Sequence, residues 1–233
     1  MVTDLVRRGA KGTSSTVAIV NPEGERAFLH YTGANAALQA GDLKDVPRCR
    51  WLHVSSMFLL PGLTASGIAG ALKKAKKQGS VTSLDVAWDP KGEWELGDCL
   101  DSTDYFMPNI DEGRAITGKK AVEEVARELL DLGARNVVLK LGREGSFYVG
   151  EECEAFRAGP FAVKTVDSTG AGDVFDAALV YARLKGMQMR RAVVLANAAG
   201  ALSVTSYGGT ASAPTAQELL AFIQSKKEVE KRE

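Results

Sequence analysis

Residues 166–175 constrain this chain more than any others, because a turn with glycine at 170 and 172 runs straight into an amphipathic helix. Gly170, Ala171 and Gly172 let the backbone come close to a ligand, and the first helical turn leaves amide N–H groups without intrahelical acceptors. Together with the partial positive charge of a helix N-terminus, those amides form a cradle for an anion such as phosphate. Asp173 at the mouth of that cradle would repel a phosphate, unless its task is to take a proton from the group attacking it. A general base beside an anion hole suits phosphorylation of an alcohol. The plain alternative is an Asp that only starts a helix.

Elsewhere the pattern alternates between strands and helices. Apolar residues 17–20 and 27–31 flank the turn formers of residues 21–25 and predict a β-hairpin. Strands are predicted at 51–54 (buried), 81–86 and 136–141, with further extended pieces at 105–107 and 146–149. Helices are expected over 63–78, where Leu63, Ile68, Ala71, Leu72 and Ala75 share a face, and over 121–132, closed by Gly133. The helix opened by Gly172 carries Phe175, Ala178, Leu179 and Ala182 inward; others cover 190–205, rich in small residues, and 217–227, before a charged, frayed tail. Strands and helices of these lengths indicate an α/β fold, a largely parallel sheet covered on both faces, with ligands beyond the carboxyl ends of the strands. No linker divides the chain. Residues 1–233 read as one domain, with 13–35 the hairpin and its return and 36–233 the core.

Composition narrows the function. Lys+Arg and Asp+Glu balance at 29 each, so nothing points to nucleic acid or an anionic membrane. Cys49, Cys99 and Cys153 lack disulfide or zinc spacing and read as reduced thiols. No apolar run nears the ~20 residues of a membrane span, and the start is too charged for a signal peptide. These features predict a cytoplasmic protein. His30 and His53 read as satisfied strand histidines, and the lysines at 73, 74, 76 and 77 as a solvated face.

The block 167–173 (DSTGAGD), with Asn109-x-x-Glu112, Leu141-Gly142-x-x-Gly145 and Asn197-Ala-Ala-Gly, resembles the ribokinase or PfkB-type carbohydrate kinases, in the order that family has them. The likeness extends from about Lys11 to the last helix; no Walker A pattern is present. It implies a ribokinase-like three-layer α/β/α fold with a small β-hairpin lid. It also implies ATP-dependent phosphorylation of a hydroxyl on a small sugar or sugar acid, with Asp173 as base and Gly170, Ala171 and Gly172 as anion hole. Asn109 and Glu112 match the family's magnesium and phosphate region, with Glu112 reaching Mg²⁺ in part through water; read from the residues alone, they equally make a capping box. The segment Lys140, Leu141, Gly142 to Gly145 matches a nucleotide-contacting strand end. Asn197 matches a residue near adenine, although small-residue helix packing explains its neighbours as well. Asp167, Thr169, Ser203, Ser206, Gly208 and Ser212 correspond to a monovalent-cation (K⁺) site.

Family members carry several tens of residues before the equivalent of Gly12, including early sheet strands and the Gly-Gly-Asn that grips the sugar. The resemblance therefore implies that the N-terminal strands are missing, that sheet edges are exposed, and that self-association is favoured, with a homodimer through the hairpin as one form of it. Ribose-using members also have a carboxylate near Ser55-Ser56-Met57, which argues against ribose here. Two alternatives stand beside the sugar kinase: a nucleoside kinase of the same family, and a non-catalytic nucleotide-binding or oligomerisation module.

Overall fold

A computed structural model describes residues 10–20, 26–43, 46–209 and 211–230. The turn expected over 21–25 and the last residues of the expected tail lie outside them. Strands β1 (Ser15–Val20) and β2 (Arg26–Tyr31) pair antiparallel in a two-stranded sheet of their own. The main sheet has six strands in sequence order: β3 (Trp51–Val54), β4 (Val81–Leu84), β5 (Tyr105–Phe106), β6 (Asn136–Lys140), β7 (Ser146–Gly150) and β8 (Phe156–Ala158). β3 to β6 run parallel, while β7 and β8 add antiparallel at one side.

Side-chain alternation along the strands sorts the helices into two layers. Phe106, Val137 and Leu139 face one side and pack with Ile68 and Leu72 of α1 (Ala65–Lys77) and Val125 and Leu129 of α3 (Val122–Asp131). The short α2 (Ile110–Thr117) joins this layer through Ile110 and Ile116. Tyr105, Met107, Val138 and Tyr148 face the other side and meet α4 (Ala171–Leu184), α5 (Met189–Ser203) and α6 (Ala216–Glu230). The result is three layers, α/β/α, with a separate hairpin.

Local chemistry sets the boundaries. Helix α1 starts two residues later than its apolar pattern does, because the Thr64 hydroxyl accepts from the Gly67 N–H and caps it. Gly170, with φ of 76°, caps α4 in a left-handed conformation, so that helix begins at Ala171 rather than at Gly172. The predicted β3 is half-buried, not buried: its pairing among the described residues is with β4 alone. Trp51 nonetheless anchors it, stacking on Tyr105 at 5.1 Å and donating to Ser83 Oγ at 2.8 Å.

Candidate active site

The carboxyl ends of β3, β4, β5 and β6 converge on the N-terminus of α4. Gly170 is left-handed at the start of α4; its carbonyl accepts from Val174 N–H at 2.9 Å, and the Ala171 N–H donates back to the Ser168 carbonyl at 3.3 Å. A Cβ on Gly170 would stand 2.9 Å from Gly209 Cα, so the turn lies directly against the loop that precedes α6. Asp173 is exposed in the first turn of α4, and its Oδ1 accepts from Ser55 Oγ at 3.2 Å, 118 residues away in sequence. Ser55 directly follows β3, and Ser56 after it is left-handed (φ 58°), a conformation that turns the chain away from the strand direction.

Below the cradle lies Lys140, the last residue of β6. Its Nζ donates to Asp85 Oδ1 at 3.1 Å and to Asp176 Oδ2 at 3.0 Å. Asp85 directly follows β4, and Asp176 is one turn beyond Asp173. Burial by itself would lower the ammonium's pKa, but Asp176, Asp85 and Glu112 outweigh it and hold Lys140 charged. Asp176 is 1% exposed, and burial raises its carboxyl well above the usual range against the pull of Lys140. His53 on β3 shares a hydrogen bond with Ser83 Oγ at 2.8 Å, and burial lowers its pKa.

Asn109 and Glu112 form the capping box that starts α2. Asn109 Oδ1 accepts from the Glu112 N–H at 2.9 Å, and Glu112 Oε2 accepts from the Asn109 N–H at 2.8 Å. Asn109 also bridges in parallel to Lys140, whose N–H donates to the Pro108 carbonyl at 3.0 Å, so the box sits at the cluster's edge. Glu112 is buried, and its carboxyl is pushed up to about 7, by burial first and by Asp85 second. A buried acid so destabilised in its ionised form is a fitting oxygen donor for a hard cation such as Mg²⁺.

The remaining predicted residues fall into two groups. Gly145 (φ 87°) and Asn197 meet at Ala158–Gly159. A Cβ on Gly145 would stand 2.1 Å from the Ala158 carbonyl, and Asn197 Nδ2 donates to the carbonyls of Ala158 (3.1 Å) and Gly159 (3.2 Å). Leu141 N–H donates to the Gly145 carbonyl, closing the turn that holds Gly142. In the second group, Asp167 accepts from Thr169 N–H at 2.9 Å and Gly208 N–H at 3.1 Å, tying the glycine turn to the loop that contains Ser212, whose N–H donates to the Gly208 carbonyl. Ser203 turns its hydroxyl onto the Gly200 carbonyl of its own helix, and Ser206 is exposed. Beside the turn, a largely apolar cavity of about 610 Å³ runs between α4, α5 and the start of α6, with Asp173 at its rim and Ala177, Tyr181, Leu195 and Leu219 along its walls.

Three residues of this cluster escaped the sequence reading: Ser55, Asp85 and Asp176. Asp176 did leave a signal, since it lies within the inward-facing stripe between Phe175 and Leu179, where an acid needs a buried partner. Lys140, ending an otherwise apolar strand, is that partner.

Comparison with known proteins shows the family and the fold. Residues 2–216 match the pfkB family carbohydrate kinases. A 2-dehydro-3-deoxygluconokinase of Bacillus subtilis is 34% identical over 137 residues, 59% of this chain and 42% of that protein. A 5-dehydro-2-deoxygluconokinase of Clostridium perfringens is 28% identical over 224 residues, 90% of this chain and 66% of that protein. The chain thus spans about two thirds or less of the length of these relatives. The structure of Arabidopsis thaliana ribokinase complexed with ribose and ATP superposes with a TM-score of 0.77 at 26% identity, covering 92% of this chain and 70% of that one. The fold is ribokinase-like, and the chain belongs to the pfkB family of carbohydrate kinases.

Proposed function

We propose that this chain carries the phosphoryl-transfer centre of an ATP-dependent kinase acting on a hydroxyl of a small sugar or sugar acid. The observation that carries this reading is the placement of Asp173. Its carboxylate is exposed in the first turn of α4 and accepts from the Ser55 hydroxyl. On this reading, Asp173 takes the proton of the attacking hydroxyl, and the amides of Gly170 to Gly172 hold the charge that develops on the transferred group. Glu112 holds Mg²⁺, directly or through water, with Asn109 fixing its carboxylate. The ion supplies neutralisation of the phosphate oxygens. The segment from Lys140 to Gly145 and Asn197 border the nucleotide. Asp167 and Thr169, with Ser203, Ser206, Gly208 and Ser212, hold a monovalent cation through hard oxygen atoms.

The test is ADP release, measured by coupled assay with Mg-ATP over a panel of 2-dehydro-3-deoxygluconate, 5-dehydro-2-deoxygluconate, ribose and fructose. Asp173→Asn is expected to lower kcat by about 10²–10⁴. Turnover independent of Asp173, or ATP binding with no turnover at all, would rule the reading out and leave a nucleotide-binding module.

The hairpin supports self-association on the same reading. Cross-strand pairing puts Val17 with Leu29 and Ser15 with Tyr31 on one face, where Val17, Leu29 and Tyr31 are all exposed, and Ile19 extends the patch. A second copy of the chain would cover it, and sedimentation that shows only monomer would end that proposal. The three free cysteines fit a reducing, cytoplasmic setting. Among the described residues no helix is long and apolar enough to cross a membrane.

A further inference from the structure

The ion cluster under the cradle makes poor sense as a device for stability. Asp176 is 1% exposed and sits in the middle of an otherwise apolar helix face, yet its Oδ1 has no hydrogen-bond partner among the described residues. Lys140 and Asp85 are nearly as enclosed, with 12% and 10% of their side chains exposed. Buried ion pairs of this kind are often replaced by apolar side chains of similar size with no loss of stability, so the groups present here invite a functional account.

The geometry supplies one. The Lys140 backbone is fixed at the sheet by its N–H bond to Pro108 and its bridge to Asn109. Its side chain then runs directly under the first turn of α4. A Cβ on Gly172 would stand 3.4 Å from Nζ, 3.9 Å from Cε and 4.0 Å from Cδ, so the glycine rests on the lysine stem. At its tip, one nitrogen joins the end of β4, through Asp85, to the second turn of α4, through Asp176. Asp173 lies one turn before Asp176 on the same rigid helix, and its carboxylate meets the end of β3 through Ser55. The height and rotation of the cradle over the sheet are therefore set by this clamp.

We propose that Lys140, held by Asp85 and Asp176, is a positioning residue for phosphoryl transfer: it fixes the first turn of α4 over the sheet and so aims the amides and Asp173 at the reacting group. This proposal rests on the kinase reading for its kinetic consequence, while the clamp itself can be read without turnover. The titratable groups that face Lys140 are Asp85 just after β4, Glu112 from α2, Asp176 from α4 and His53 from β3, with Asp173 acting on Asp176 and His53. None of them needs to touch substrate for the clamp to act.

The test uses two variants and three readouts on the full chain: turnover kinetics, the unfolding midpoint and amide hydrogen exchange. Asp176→Asn keeps the shape and leaves Lys140 paired with Asp85. It is expected to lower kcat by about tenfold or more, with KM for ATP and for the acceptor within about threefold and with an unfolding midpoint at or above the wild-type value. Lys140→Met is expected to lower kcat further. In both variants, amide hydrogen exchange over residues 167–175 should rise by about fivefold or more relative to peptides from α3. Asp176→Asn with wild-type kcat, or exchange that rises equally in α3, would overturn the proposal. If Lys140→Met fails to fold, Asp176→Asn decides alone. If the wild-type chain turns over no acceptor, the kinase reading falls, and exchange over residues 167–175 still decides the clamp.

Discussion

Glu112 provides a test in which stability and function pull in opposite directions. Its carboxyl has an ordinary pKa of 4.5 in the unfolded chain and is pushed up to about 7 in the fold. The folded state therefore holds a proton that the unfolded state releases between those two values, so stability falls as pH rises from about 4.5 to about 7 and is level above. At about 1.4 kcal/mol per pH unit, the full penalty is about 3 kcal/mol. Glu112 is 5% exposed, so solvent screening does not reduce this appreciably. Glu112→Gln removes the ionisation while its side-chain oxygen can still accept from the Asn109 N–H and keep the capping box. In metal-free buffer, urea unfolding should show the variant gaining on the wild type as pH rises, by about 2.5 kcal/mol more at pH 8 than at pH 5. Asp176, also raised, acts in both proteins and cancels in the difference. A gap between the two proteins that does not change with pH, or that shrinks on going to pH 8, would show that the Glu112 carboxylate is not destabilised by burial.

Three further perturbations probe the rest of the site. Ser55→Ala removes the bond to Asp173 Oδ1 at an accessible position; kcat should fall by roughly tenfold, the equivalent of about 1.4 kcal/mol, while stability stays within about 0.5 kcal/mol by urea titration. Gly145→Ala drives a Cβ into the Ala158 carbonyl and should cost roughly 3 kcal/mol in the same titration, whereas Gly142→Ala, also left-handed at φ 58° but open, should cost about 1–2 kcal/mol. Equal losses at the two glycines would remove the packing argument. Asp167→Asn weakens a carboxylate that accepts from Thr169 N–H within the turn and from Gly208 N–H in the loop after α5, and the ratio of turnover in potassium to that in choline should drop toward one if that carboxylate helps to hold the ion.

Much of the fold could be read before any coordinates, for definite reasons. Val137, Val138 and Leu139 make β6 apolar on both faces because it lies between two helical layers, and the stripe Ile68, Ala71, Leu72, Ala75 is all core. β8 could not be read: three residues with one exposed in the middle carry too little pattern, and their pairing with β7 is a long-range choice. The glycine turn into α4 was legible because glycine spacing and a helix start are local. Ser55, Asp85 and Asp176 were not, because their significance lies in partners 118, 55 and 36 residues away. His30 shows the limit of a generic assignment: its Nδ1 shares a 2.7 Å bond with Thr16 Oγ1, but its Nε2 has no partner among the described residues.

The two acids of α4 show how one helix can serve two ends. Asp173 and Asp176 are separated by a single turn, yet one is exposed with a hydroxyl donor and the other is enclosed with an ammonium. Acids placed in such different surroundings can take different roles, and on the kinase reading the pair gives the helix an outer face for chemistry and an inner face for registry. The charge count follows from the same geometry. Asp85, Glu112 and Asp176 surround Lys140, Asp173 lies one turn before Asp176, and the α4 N-terminus adds only about half a positive charge. Burial is the first cause that raises the Glu112 and Asp176 carboxyls, and the neighbouring Asp85 adds to it. A polyphosphate entering this cradle on its own would meet carboxylates that the lysine cannot balance. On the kinase reading the nucleotide would bring positive charge with it, which is what a magnesium complex does, and the buried Glu112 carboxyl is the acid proposed to meet that charge.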